Sequence, residues 1–165
     1  RGSAVLVPLA PDRVFVFGGD GEGGSRSDAA TIDLVSGEAE LIAFEAPFPD
    51  PVGPVEGVLA GDHVVVLGLL CPESADEDID PCRPGTPAMV DWSVIDGTWR
   101  SIDVPEGAAG VVSGWRHVAG STTDGRAVVQ LGPFDDPSRW TYQPSTGEWP
   151  RPLRSSSTPN RSGYS

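Results

Sequence analysis

The chain has no lysine, one asparagine, one methionine (Met89) and two cysteines, Cys71 and Cys82. Its 11 cationic side chains are therefore all arginine, and against 24 Asp and Glu they leave a net charge of −13. Binding to phosphate backbones needs the opposite sign, so this balance argues against nucleic acid and anionic membranes and favours cations or basic partners. No stretch approaches the ~18 consecutive apolar residues of a membrane span, and no secretory leader is visible. With Met89 as its only methionine, the chain reads as an excerpt or a processed form rather than one starting at its own initiator. The two cysteines and the distant His63 and His117 also lack the paired short spacings of a structural zinc site.

What the chain does have is turn residues. Twenty-one glycines and 17 prolines in 165 residues favour many turns and short strands over long helices. An apolar content of 38% with 21% charged residues suits one ordinary globular core. Cys71 and Cys82 flank the acidic, proline-containing segment "CPESADEDIDPC". A local disulfide there implies an oxidising, extracytoplasmic or secreted setting, and a pair of free thiols is the other reading.

Self-similarity organises the rest. Three eight-residue windows align: "IDLVSGEA" from Ile32, "WSVIDGTW" from Trp92 and "YQPSTGEW" from Tyr142. Each opens on a large apolar residue, has glycine sixth (Gly37, Gly97, Gly147) and ends in Ala or Trp. Upstream of each lies a short β-rich run closed by glycine: "RVFVFGG" to Gly19, "HVVVLG" to Gly68 and "AVVQLG" to Gly132. Ahead of those come "SAVLVPLA", "EGVLAG" and "WRHVAG", set off by the turn signals Pro11-Asp12, Gly61-Asp62 and Asp124-Gly125. After the windows the chain continues as "ELIAF", "RSIDV" and "PRPL". Each repeat is thus four short strands, A to D, over roughly 50 residues.

The spacing Gly19-x-Gly21-x-x-Gly24 after an apolar run has the outline of a dinucleotide-binding loop. Such a loop needs a helix starting at its third glycine, so that free N–H groups and the helix dipole meet the phosphate. Here "SRSDAATIDLVSG" leads into another strand, and Asp20 and Glu22 would oppose a polyanion. The glycines are expected to end strand B.

A four-stranded repeat of this length, with Gly18-Gly19 closing its second strand, Gly68 and Gly132 at the matching places, and Tyr142/Trp149, Trp92/Trp99 and Ile32/Ala39 in the late window, resembles the Kelch type of β-propeller. The resemblance implies an all-β fold of about three blades of four antiparallel strands: blade 1 about 3–45, blade 2 about 56–104, blade 3 about 115–153. Residues 154–165 form a tail or the start of a further blade. In that family's pattern Trp99 and Trp149 pack between neighbouring blades.

Three blades do not close a ring, so the expected partners include the remaining blades of the same propeller or a second copy of the chain. Loops alternate between the two edges of such a propeller. The A–B and C–D turns are short, and the B–C and D–A connections (18–28, 43–56, 69–88, 103–115, 133–138, 150–162) are long and acidic. Binding belongs on long loops held by a rigid scaffold, so the candidate ligand-binding residues there are Trp115, Asp20, Glu22, Asp135 and Asp136. Asp76, Asp78 and Asp80 alternate as the first ligands of a calcium loop do, although Pro81 stands where that loop has glycine; a merely solvated acidic loop is the alternative. No nucleophile, base and orienting group recur at a spacing that defines a triad, and no catalytic residue is assigned. The expected function is a non-catalytic scaffold for a protein or glycan. The alternative is part of a secreted carbohydrate-active or oxidase-type propeller enzyme with its catalytic residues elsewhere.

Overall fold

The computed structural model describes residues 4–21, 24–43, 56–70, 86–105, 117–131 and 138–150. Among them there is no helix, and eleven strands make three antiparallel sheets in sequence order. The first sheet is β1 (Val5–Ala10), β2 (Arg13–Gly21), β3 (Gly24–Asp33) and β4 (Ala39–Ile42). The second repeats it with β5 (Glu56–Ala60), β6 (His63–Leu70), β7 (Thr86–Ser93) and β8 (Trp99–Ile102). The third contains β9 (His117–Ser121), β10 (Ala127–Leu131) and β11 (Ser138–Tyr142), followed by an isolated bridge between Gln143 and Glu148.

The eight-residue windows mark one turn used three times. Gly37, Gly97 and Gly147 have φ of 75°, 71° and 75°, a left-handed conformation that glycine adopts without a Cβ penalty. Their N–H groups donate to the carbonyls of Asp33, Ser93 and Gln143 at 2.9, 3.0 and 2.8 Å. Asp33 further fixes its turn by accepting from the N–H groups of Val35 and Ser36, both at 2.8 Å. In the first two sheets this turn is tied to the A–B hairpin, where Leu34 N–H donates to Asp12 and Val94 N–H to Asp62, at 2.7 and 2.8 Å. The third repeat has Pro144 at this place and no such donor. The A–B and C–D turns therefore share one edge.

Burial explains the strand compositions. In β6, Val64 and Val66 face the first sheet while Val65 and Leu67 face the third, so both faces of the second sheet are covered. A strand buried on both sides carries a continuous apolar run instead of an alternating one, which accounts for "HVVVL". The inner strands lie side by side, β5 between β1 and β9. Close approach is written into the glycines: a Cβ on Gly57 would come within 2.8 Å of Val5 and 3.0 Å of Val7, and Gly61 and Gly125 meet backbone to backbone.

Two sequence expectations need correction. Gly18 and Gly19 do not end strand B. Their positive φ values, 66° and 100°, accommodate a bulge in which Gly18 stands against two residues of β3, Ser27 and Asp28, after which pairing resumes through Gly19↔Arg26, Asp20↔Ser25 and Gly21↔Gly24. Nor does Gly68 end its strand, since pairing continues to Leu70↔Thr86. The expected B–C loop over 18–28 is therefore mostly hairpin, with only residues 22 and 23 joining β2 to β3, and the one expected over 69–88 shortens to 71–85. Gly24 begins a strand, so the helix that a dinucleotide loop requires is not there.

Candidate functional site

The feature with chemical character lies between the second and third sheets. Asp91 sits mid-strand in β7 between Val90 and Trp92, with its cross-strand partners Val65 and Arg100 on the same face. That face packs on the third sheet, which leaves Asp91 only 2% exposed. A carboxylate so placed must be paired. His63 Nδ1 lies 2.6 Å from Oδ1, while Oδ2 accepts from the Arg100 guanidinium and, at 3.1 Å, from the Tyr142 hydroxyl of the neighbouring sheet. Arg100 reaches across the same boundary to donate to the Pro144 carbonyl. Its other guanidinium nitrogen lies against Gly147, where an added Cβ would be 3.1 Å away.

The electrostatics agree with this geometry. The hydrogen bond from Arg100 to Asp91 holds the guanidinium above its ordinary pKa. Burial, and then the Asp91 charge, push the Tyr142 hydroxyl well above its ordinary value, so it stays a neutral donor. On the far side of the imidazole, Asp62 Oδ1 stands 3.4 Å from His63 Nε2. Ser93 is opposite His63 in register and buried, which brings serine, histidine and aspartate together. Ser93 Oγ accepts from Asp96 N–H at 3.4 Å, and the carboxylate near Nε2 belongs to Asp62. The cluster acts as an electrostatic clamp between two sheets.

Along the turn edge, Asp33, Asp96 and Asp124 are held below the usual carboxylate range. The largest causes are the backbone N–H groups of Ser36 and Val35 for Asp33, the Thr98 hydroxyl for Asp96 and the Thr122 hydroxyl for Asp124. These exposed carboxylates make that edge anionic.

Of the candidate residues named from sequence, one falls in a described strand. Asp20 is placed there, at the end of β2 opposite Ser25, but its side chain is outside the described residues. Glu22, Trp115, Asp135, Asp136, the Asp76, Asp78, Asp80 set and the Cys71, Cys82 pair also lie outside them. His63 and His117 open β6 and β9, as strand residues should. Sequence reasoning missed the Asp91 clamp. Its signal was an acidic residue inside "MVDWS", since a charge within an apolar strand needs a buried partner. Comparison with known proteins adds no identity: no protein-family model matches the chain, and no curated protein matches it.

Proposed function

We propose that the three sheets are blades of a Kelch-like β-propeller arc that serves as an extracytoplasmic, non-catalytic scaffold, binding a protein or glycan along the edge that carries the B–C and D–A connections. The supporting observation is the side-by-side run of β1, β5 and β9, brought together by Gly57 against Val5 and Val7. Sheets that meet along their first strands and diverge outward are the unit of a propeller. The Asp91 clamp supports rigidity over turnover, because its carboxylate oxygens are taken up by His63, Arg100 and Tyr142. Binding on that edge would draw on Asp20, Glu22, Asp135, Asp136 and Trp115. Calcium on Asp76, Asp78 and Asp80, with a Cys71–Cys82 disulfide bracing the segment, belongs to the same reading.

The test is a glycan array together with a panel of arginine-rich peptides, probed with the chain and with a variant carrying Asp20→Asn, Glu22→Gln, Asp135→Asn and Asp136→Asn. A ligand whose affinity drops about tenfold or more in the variant supports the edge as the site. A ligand held equally well by both proteins, or glycan turnover by the chain itself, removes the reading. Millimolar calcium should raise the melting temperature of the wild type and not that of Asp76→Asn/Asp78→Asn.

A further inference from the structure

The C–D turns of the first two sheets carry bulky aliphatic side chains at their tips. Leu34 and Val35 are 60% and 85% exposed, and Ile95, the counterpart of Val35, is 77% exposed. The turn does not call for them. The third repeat has Ser145 at that position and makes the same turn, with Gly147 at a φ of 75° and its N–H bonded to the Gln143 carbonyl at 2.8 Å. Nor does the core, because side chains so exposed bury little apolar surface. An aliphatic residue kept in water at one position of two neighbouring sheets, where serine serves in the third, points to a contact outside the chain.

The exposure of this edge does not depend on what flanks the three sheets. Both sheet-to-sheet contacts cover faces, Phe15 and Phe17 against Val64 and Trp92, and Val65 and Leu67 against Val129 and Tyr142, and they leave the turn tips uncovered. A further sheet stacked in the same way would do likewise. The strand ends that border the undescribed residues 22–23, 44–55, 71–85, 106–116 and 132–137 all lie at the opposite edge.

Charge sets the chemistry of the partner. The A–B turns contribute Asp12 and Asp62 to this edge, and the C–D turns Asp33, Glu38 and Asp96, all exposed. The arginines beside them are engaged within the chain: Arg13 by Thr31 and Glu40, Arg100 by Asp91 and the Pro144 carbonyl, Arg126 by Asp124 and Gln143. Leu34, Val35 and Ile95 thus stand among carboxylates in excess, and a complementary surface sets Lys or Arg around aliphatic residues. Packed sheets stand about 10 Å apart, a distance that an extended chain crosses in about three residues. One short segment can therefore reach both turns.

We propose that the turn edge is a second docking surface, which takes an extended protein segment whose Lys and Arg flank two aliphatic side chains packed on Val35 and Ile95. The turns are preformed, since Asp33 accepts from two N–H groups while Leu34 and Val94 are tied to Asp12 and Asp62, and this lowers the ordering cost of binding. Arginine-rich peptides without aliphatic residues lack the anchors for this edge. The surface lies opposite the edge of the B–C and D–A connections, so failure here leaves the scaffold reading standing.

Fluorescence anisotropy with a synthetic peptide library, two leucines about three to five residues apart among Lys and Arg, tests it. A bound peptide should lose about tenfold or more in affinity with Val35→Ser/Ile95→Ser. That variant copies the third repeat, so circular dichroism and melting temperature should be unchanged. Asp12→Asn/Glu38→Gln should weaken binding about threefold at low salt and flatten its salt dependence. The variant carrying Asp20→Asn, Glu22→Gln, Asp135→Asn and Asp136→Asn should bind as the wild type does. Absence of binding by every peptide at millimolar concentration overturns the proposal, as does a bound peptide indifferent to Val35→Ser/Ile95→Ser. A peptide lost instead in the fourfold variant overturns it in favour of the other edge.

Discussion

The two sheet-to-sheet boundaries are built on the same backbone positions, share an apolar core and differ in what is set beside it. Between the first and second sheets, Phe15 stacks on Trp92 with centroids 5.2 Å apart and planes inclined by 28°, and Phe17 meets Trp99 at 6.3 Å. Between the second and third, the counterparts of the two phenylalanines are Val65 and Leu67, and the aromatic pair is Tyr142 with Trp149 at 5.2 Å. Beside Val65, in cross-strand register or two places along the strand, stand Asp91, His63 and Arg100. Their equivalents in the first sheet are Thr31, Arg13 and Glu40, a looser set in which Arg13 donates to Thr31 at 3.1 Å and stands 3.7 Å from Glu40. Both boundaries have an apolar core, and the second adds an oriented ion pair whose carboxylate is buried. Repetition constrains where residues meet, and it leaves open what they are.

The difference predicts how each boundary fails. Phe15→Ala removes a fully buried ring that touches both Trp92 and Trp99, and should cost about 3–5 kcal/mol in urea unfolding, the largest effect expected here. Asp91→Ala takes the shared acceptor from His63, Tyr142 and Arg100, of which Arg100 keeps the Pro144 carbonyl. The expected loss is about 3 kcal/mol, the low end for breaking a buried pair, because Arg100 is 44% exposed and can recover water. The two boundaries separate further in a combined replacement. Asp91→Leu with Arg100→Met and Tyr142→Phe converts the polar boundary to an apolar one and should regain most of that loss, since a packed apolar substitute matches a buried ion pair. No such rescue is expected for Phe15→Ala. A triple variant as unstable as Asp91→Ala alone would show that the clamp does more than satisfy its own charges.

Tyr142→Phe sharpens the comparison at smaller magnitude, about 1.5 kcal/mol for one hydrogen bond to a charged acceptor. It also has a pH signature. The folded pKa of Tyr142 is raised, by burial first and the Asp91 charge second, above the value of about 10 that the unfolded chain has. A raised folded pKa means the contribution is fully present below about pH 10 and is lost as the pH climbs from there toward the folded value. Urea midpoints between pH 8 and 11 should fall on the alkaline side for the wild type and fall less for Tyr142→Phe. Trp92 occupies this place at the other boundary and does not titrate. Equal alkaline slopes in the two proteins would disconnect Tyr142 from the clamp.

Much of the architecture was legible because it depends on local rules repeated three times. Gly37, Gly97 and Gly147 announced their turns, Pro11-Asp12 and Gly61-Asp62 their hairpins, and the Val-rich runs their doubly buried strands. What misled was reading every glycine as a stop. Gly18 and Gly19 accommodate a bulge inside a continuing hairpin, a distinction that depends on the partner strand and not on the residues themselves. The clamp was illegible for a related reason. Asp91 and Tyr142 are 51 positions apart, and only the stacking of two sheets makes a lone aspartate in "MVDWS" the acceptor for three donors.

The smallest effect isolates the clamp from the turn that carries it. Gly37, Gly97 and Gly147 have nearly the same positive φ and the same hydrogen bond to the residue four places back, so alanine at each meets the same backbone strain, about 1 kcal/mol. Nothing lies within 4 Å of a Cβ at Gly37 or Gly97, whereas at Gly147 the Arg100 guanidinium is 3.1 Å away. A free arginine would swing aside at little cost. This one is held by Asp91 and by the Pro144 carbonyl, so moving it loosens bonds across the boundary. Gly147→Ala should therefore exceed Gly37→Ala and Gly97→Ala by about 0.5–1 kcal/mol, roughly one charge-assisted hydrogen bond weakened. The excess should vanish when Asp91→Ala is already present. An excess that persists without Asp91 would place the cost in the turn and leave the two boundaries mechanically alike.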